Sequence, residues 1–303
     1  MTRLQGIVCP IATPFNADGS LARDLYAEHA KRMLEQGAHY LSPFGTTGEA
    51  LSLGVRERRE ALEGLVADGV PAERLMPGTG VPSLTETREL SAHAVELGCA
   101  AVMVLPSFFY GAVGDAGQAR FFGELIEGLA DPRLRVLLYN IPQNSGVAVT
   151  PALAARLNAA YPETVVAYKD SSGDWENTRS VISAVPGISV FPGSESFLSK
   201  GLAAGGGGCI SATVNLNAAA IRAVYDGTRA GRDVTEAEDR MKAVRLAAQA
   251  AGLIGGIKAV LAVRTGDRRW LNLRAPHLDV SWELGEALEA RIAAIEEGAE
   301  AAG

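Results

Sequence analysis

Short apolar runs rich in β-branched residues alternate with longer stretches of helical periodicity along most of the chain. The strand-like runs lie at 7–13, 39–44, 75–78, 100–105, 135–139, 164–169, 188–191 and 208–213. Helical patterns follow them at 21–36, 55–67, 85–97, 117–129, from Pro151 onward, and at 175–184, 197–204 and 218–228. Proline at the start of the fifth helix suits a first-turn position. Eight strand–helix units predict an α/β fold, a closed parallel (β/α)₈ TIM barrel, over residues 1–232. Residues 233–303 read as a C-terminal helical extension packed on the barrel or on a neighbouring subunit, with amphipathic stretches at 235–251, 253–263 and 284–297. The small, polar tail from Glu296 onward is expected to fray.

The barrel gives the pattern a direction, because catalytic groups in this architecture sit at the carboxyl ends of the strands. That rule selects Thr46 and Thr47, Tyr139 and Asn140, Lys169, Gly193 to Glu195, and Ile210 with Ser211. Lys169 ends the run Thr164-Val165-Val166-Ala167-Tyr168-Lys169, where an apolar strand gives way to turn residues. Alternation along a strand places Lys169 on one face with Ala167 and Val165, and Asp170 and Tyr168 on the other. The adjacent carboxylate is thus not its automatic partner, although a structural ion pair with Glu195 is an alternative. Desolvation favours the neutral form of an amine, and a neutral amine attacks carbonyl carbon. Of the five lysines, Lys31 and Lys242 lie in polar helical surroundings, while Lys200 and Lys258 follow apolar patches along which a long stem can lie with its charge in water.

Composition narrows the partners. The 303 residues carry a net charge of −7 with a pI near 5.3, and no basic face is visible, so nucleic acid is excluded as the main partner. No run is long enough for a membrane span or a signal peptide, and Pro10 and Pro14 interrupt the start. Three distant cysteines fit reduced thiols in a cytoplasmic protein. Four scattered histidines with no close Cys or His pair give a metal site no support. Gly78-Thr79-Gly80 lacks the third glycine of a dinucleotide loop. Gly205 to Gly208 precedes the eighth strand, at the wrong end for phosphate, and is read as close backbone packing.

Three segments together, Gly45-Thr46-Thr47-Gly48-Glu49, Tyr139-Asn140-Ile141-Pro142 and Tyr168-Lys169-Asp170, resemble the dihydrodipicolinate synthase and N-acetylneuraminate lyase family of class I, Schiff-base aldolases. Pro192-Gly193-Ser194-Glu195 and the approach to Ile210-Ser211 extend the resemblance over nearly the whole chain. The resemblance implies that Lys169 forms an iminium with pyruvate or a larger 2-oxo acid. It further implies that Tyr139 shuttles the proton with the Thr47 and Thr46 hydroxyls, and that Gly193 and Ile210 shape the pyruvyl pocket. It calls for no metal or organic cofactor and implies a homotetramer.

Two positions depart from the synthases of that family. Asn144 stands where they carry an arginine that grips the second substrate, and an amide cannot supply a guanidinium fork. Phe109 stands where they carry a tyrosine contributed to a neighbouring subunit, with Tyr110 one residue beyond. By resemblance to the sialic acid lyases, Ser171, Glu195 and Ser211 match positions that handle substrate hydroxyls. The expected activity is therefore retro-aldol cleavage or dehydration of a hydroxylated 2-oxo acid of the 2-keto-3-deoxy sugar acid type, with pyruvate as the cleavage product. The alternatives are dihydrodipicolinate synthase proper, condensing pyruvate with aspartate semialdehyde, and a non-catalytic barrel that binds a 2-oxo acid.

Overall fold

A computed structural model of the chain describes residues 3–298, so the end of the tail expected to fray lies outside the described residues. The chain runs β1 (Gly6–Cys9), α1 (Arg23–Glu35), β2 (Tyr40–Leu41), α2 (Val55–Ala67), α3 (Leu84–Glu96), β3 (Val102–Val104), α4 (Gly114–Leu129) and β4 (Val136–Asn140). A one-turn α5 (Pro142–Ser145) and α6 (Pro151–Ala160) lead to β5 (Val165–Asp170), α7 (Trp175–Ala184), β6 (Ser189–Pro192), α8 (Leu198–Ala203), β7 (Gly208–Ile210) and α9 (Val214–Arg229). Three further helices follow, α10 (Thr235–Ala250), α11 (Leu253–Thr265) and α12 (Trp282–Glu296).

Parallel pairing runs β2-β1-β7 on one side and β3-β4-β5-β6 on the other. The expected third strand joins them. Leu75 pairs with Leu41 and Gly78 with Met103, while Met76 N donates to Leu41 O at 2.8 Å and Met103 N to Pro77 O at 2.8 Å. Pro77 has no N–H to continue the ladder, which is why this stave is held by isolated bridges. Gly207 N donating to Val190 O at 2.8 Å closes β6 onto the start of β7. The result is a (β/α)₈ barrel.

The glycine run before β7 works as the sequence suggests. Gly208 has φ +145°, and a Cβ there would run into the Gly6 carbonyl of the neighbouring strand. The helix after β7 begins earlier than its pattern indicates, at Val214, with a break at Asn217 (φ −139°, ψ 40°) just before the periodic stretch.

One face assignment needs correction. Val136 pairs with Val165 and Leu137 with Ala167, so Val166 is an extra residue in β5. The irregularity turns Val165 outward into the layer between strands and helices, while Ala167 stays in the barrel interior with Leu137, Tyr139 and Phe191. Beyond it the alternation holds. Tyr168 packs in the outer layer, with its hydroxyl donating to Val149 O at 2.6 Å.

The last three helices share a core with the carboxyl-end loops. Val244, Val260, Leu261 and Leu288 pack with Ala12 after β1 and with Ala212 and Leu216 after β7. Among the described residues, no single helix is long and apolar enough to cross a membrane.

A buried polar knot fastens the same loops. Asn215 accepts from Ala12 N at 3.0 Å and donates to Pro10 O at 3.0 Å and Ala212 O at 2.7 Å. Arg32 can only donate, so His29 Nδ1 accepts from it at 2.9 Å, and the His29 Nε2–H donates to Asn215 Oδ1 at 2.8 Å. The ring is therefore neutral. Burial pushes the His29 pKa down to about 3, with the Arg32 charge acting in the same direction against the Asn215 hydrogen bond. An unfolded histidine titrates near 6.5 (roughly), so between that pH and about 3 the unfolded chain takes up a proton that the fold refuses. Stability is expected to fall as pH drops through this window, by up to about 1.4 kcal/mol per pH unit for one proton. Denaturant midpoints of wild type and His29→Gln across that range check it. Equal slopes in the two proteins would assign the acid sensitivity to other groups.

Candidate active site

Lys169 lies at the carboxyl end of β5, 4% exposed, between Tyr139 of β4 and Phe191 of β6 in the strand register. Its Nζ sits 4.1 Å from the centroid of the Tyr139 ring, and among the described residues it makes no ion pair. Asp170, on the opposite face, accepts from Asn140 Nδ2 at 2.9 Å, Thr178 Oγ1 at 2.7 Å and Asn177 Nδ2 at 2.9 Å. Asn140 in turn accepts from Val149 N at 2.9 Å. These bonds fix the ends of β4 and β5 from behind, and alternation delivers Tyr139 and Lys169 to the interior side by side.

The Tyr139 hydroxyl is 2.9 Å from Thr46 Oγ1. Thr46 and Thr47 occupy a tight turn after β2, bounded by Phe44 (φ +59°) and Glu49 (φ +55°), two non-glycine residues in left-handed backbone. Such conformations cost about 1–3 kcal/mol each and persist only where neighbours impose them. Here Glu49 is imposed on. Its carboxylate pairs with Lys258 Nζ at 2.7 Å and accepts from Arg274 N at 2.9 Å. Lys258 also donates to Asn272 O at 2.6 Å. Lysine and glutamate side chains are both fully buried.

Lys258 therefore does not reach water along a surface patch as its sequence context suggests. The helix that carries it, α11, has eight consecutive buried residues from Gly255 to Ala262, and a helix apolar on all sides is a buried one. The Gly45 to Glu49 segment likewise serves as the turn that presents two threonines, with its glutamate as the anchor.

The cavity over Lys169 has a volume of about 540 Å³. Lys169, Tyr139, Thr46, Thr47, Gly193 and Ile210 all line it, as do Ser171 and Asn144. Gly193 N donates to Asp170 O at 2.6 Å, and a Cβ on Gly193 would collide with the Ser171 side chain, so glycine is the residue the close approach permits. A second hollow of about 270 Å³ adjoins it past the Thr46–Tyr139 bond, lined by Leu51, Leu105 and Phe108.

Two expected site residues lie behind the cavity wall, and the two expected to reach a neighbouring subunit lie on the surface. Glu195 and Ser211 are fully buried behind the wall. Glu195 accepts from the Ser211 and Thr213 hydroxyls and from Arg245 Nη1 at 2.9 Å, which also excludes it as a partner for Lys169. Three donors, the Ser211 hydroxyl among them, commit this carboxylate and that serine proton to a buried network. Phe109 and Tyr110 are 75% and 69% exposed and pack edge to face, 5.2 Å apart, outside both hollows. Ser107 is clamped to Gln118 by two hydrogen bonds, of 3.0 and 2.8 Å, just before the chain carries the two rings outward.

Sequence reasoning missed Arg245 and Gln249, which α10 brings to the cavity wall. Both sit in an ordinary amphipathic helix, and Glu195, the partner that fixes Arg245, is 50 positions away in the chain. Nothing local marks either residue.

The dihydrodipicolinate synthetase family model matches residues 3–295. The chain belongs to that family, whose members are lyases of the class I aldolase type that form Schiff bases. An uncharacterized DapA-like lyase of Chloroflexus aurantiacus is 34% identical over 292 residues, 96% of each chain. The crystal structure of dihydrodipicolinate synthase from Agrobacterium tumefaciens superposes with a TM-score of 0.88 at 29% identity, covering 96% of this chain and 99% of that one. YagE from E. coli K12, a member of the same family solved in complex with pyruvate, gives a TM-score of 0.87 at 26% identity, covering 97% and 99%.

Proposed function

We propose that the protein cleaves or dehydrates a hydroxylated 2-oxo acid of the 2-keto-3-deoxy sugar acid type through a Schiff base on Lys169, with pyruvate as the product of cleavage. The observation that carries this reading is the position of Lys169, buried at the carboxyl end of the barrel with its amine against the Tyr139 ring and, among the described residues, no carboxylate paired to it. The neutral amine adds to C2 of the substrate, the Tyr139 phenol gives its proton to the departing hydroxyl, and loss of water leaves an iminium and a Tyr139 phenolate. In cleavage, Tyr139 accepts the proton of the C4 hydroxyl as the C3–C4 bond breaks, and the bonding pair moves into the iminium to give an enamine and an aldehyde. Protonation of the enamine at C3 and hydrolysis then return pyruvate and the free lysine. The 2.9 Å bond to Thr46 gives the Tyr139 proton a relay. Thr47 and the backbone near Gly193 and Ile210 hold the 2-oxo acid end.

Asn144 on the cavity wall turns the reading away from condensation with aspartate semialdehyde, since it offers an amide where a carboxylate-gripping guanidinium is needed. The exposed Phe109, Tyr110 and Val113 form an apolar face suited to contact between subunits of a homotetramer.

Two measurements test the proposal. Pyruvate with borohydride should add one reduced adduct to the intact mass, and a panel of keto-deoxy sugar acids should outperform pyruvate plus aspartate semialdehyde as substrate. Robust condensation with the semialdehyde would reverse the substrate assignment. Tyr139→Phe should slow exchange of the pyruvate methyl protons by about 10²-fold or more without abolishing adduct formation. Exchange at the wild-type rate would remove Tyr139 from the proton path.

A further inference from the structure

Among the described residues, the cavity is lined by one lysine, Lys169, and one arginine, Arg245, and by no aspartate or glutamate. The mechanism proposed above uses the first and leaves the second unemployed. Arg245 projects from α10 with its side chain 12% exposed. Both of its hydrogen bonds run through Nη1, to Glu195 Oε2 at 2.9 Å and to Ser211 Oγ at 2.9 Å. Nη1 carries two hydrogens, so that nitrogen is spent. Among the described residues, the Nε and Nη2 donors have no hydrogen-bond partner. That edge of a guanidinium is one side of the planar fork that grips a carboxylate with two parallel bonds.

We infer that Arg245 is the specificity residue for a second carboxylate at the far end of the substrate, so that the 2-oxo acid handled by the Lys169 cavity is a dicarboxylate. The inference rests on the Schiff-base reading of Lys169 and extends it to the opposite end of the ligand. Glu195 is the positioning residue. Fully buried and held by the Ser211 and Thr213 hydroxyls, it fixes the guanidinium before any ligand arrives. It also offsets much of the arginine charge, which suits a singly charged carboxylate better than a phosphate dianion. Gln249, Gln143 and Ser171 on the same walls suit the hydroxyls between the two acid groups.

Borohydride trapping of linear 2-oxo acids reads this end of the cavity without knowledge of the natural substrate. The probes are 2-oxo diacids of five to seven carbons, the 2-oxo monoacids of the same lengths, and 2-oxo acids ending in phosphate. The quantity read is the ratio of half-trapping concentrations, monoacid over diacid, within each protein. In wild type at least one length should give a ratio of about tenfold or more, the scale of a charge-assisted pair of hydrogen bonds. Arg245→Gln should bring that ratio to within about twofold, and Arg245→Lys, which keeps the charge and loses the fork, should fall between.

Loss of the arginine leaves Glu195 buried and unpaired, which can unfold the chain. The doubly neutral variant E195Q/R245Q then reads the same ratio. A wild-type ratio near one at every length, a ratio that survives Arg245→Gln or E195Q/R245Q, or a preference for the phosphate-ended acid over the diacid overturns the inference. Failure to trap pyruvate in wild type overturns the Schiff-base reading and this inference with it, whereas trapped pyruvate without diacid preference overturns this inference alone.

Discussion

Lys169→Met is expected to abolish the borohydride adduct with pyruvate and to lower turnover by at least about 10⁴-fold, the scale on which loss of a covalent nucleophile is felt. Methionine keeps the length of the stem and its contact with the Tyr139 ring while removing the amine. The same change should leave the melting temperature equal or higher, because it deletes a buried amine that has no ion pair among the described residues. Active sites hold groups that function requires and stability does not. Intact mass after reduction and a thermal melt on one preparation check both halves. An adduct that persists in Lys169→Met would move the chemistry to another amine. The structure offers no convenient substitute. Lys258 is the other buried lysine, but it is committed to Glu49 and Asn272 and does not line the cavity. A large loss of stability in Lys169→Met would instead show that the amine is part of the scaffold.

The contrast between these two lysines shows what the sequence carries and what it does not. The barrel was legible because each strand and helix leaves its own period in about ten residues. Lys169 stood out as the cation ending an interior strand. Lys258 lies in an equally apolar stretch, yet its role depends on Glu49, 209 positions earlier, and no local pattern links them. The signal available was the apolar character of α11 on every side, which marks a buried helix and therefore a buried lysine in need of a partner. Arg245 is the harder case, since both the helix that carries it and the strand end that fixes it look ordinary alone. The outward Val165 follows from one extra residue in β5, a register event that alternation alone cannot foresee. Motif residues could be located by resemblance, but burial and hydrogen-bond capacity decided which of them face the cavity. Ser171 does, whereas Glu195 and Ser211 do not.

Lys258→Met should cost about 3–5 kcal/mol of folding stability, the range for removing one partner of a buried ion pair. The loss comes less from the missing attraction than from the Glu49 carboxylate left without a counter-ion in a site where both side chains are fully buried. Burial holds the Lys258 pKa below its ordinary value while Glu49 pulls it back up, so desolvation is the larger influence on this ammonium. Taking away both charges removes the desolvation cost along with the attraction. The double variant E49Q/K258M should therefore recover most of the stability lost in the single one. Denaturant unfolding of the three proteins measures this directly, and a thermal scan should show the single variant melting roughly 10 °C lower.

Turnover need not follow stability in this series, because the pair also fixes Glu49 in left-handed backbone, and that residue closes the turn presenting Thr46 and Thr47. Stability restored in E49Q/K258M with activity still depressed would locate the ion pair's function in shaping that turn. If both properties return together, the backbone geometry is set by the remaining bonds of the turn, such as Thr13 Oγ1 to Gly48 O at 2.8 Å, and the charge pair acts on folding alone. A Lys258→Met protein as stable as wild type would contradict the buried pair itself.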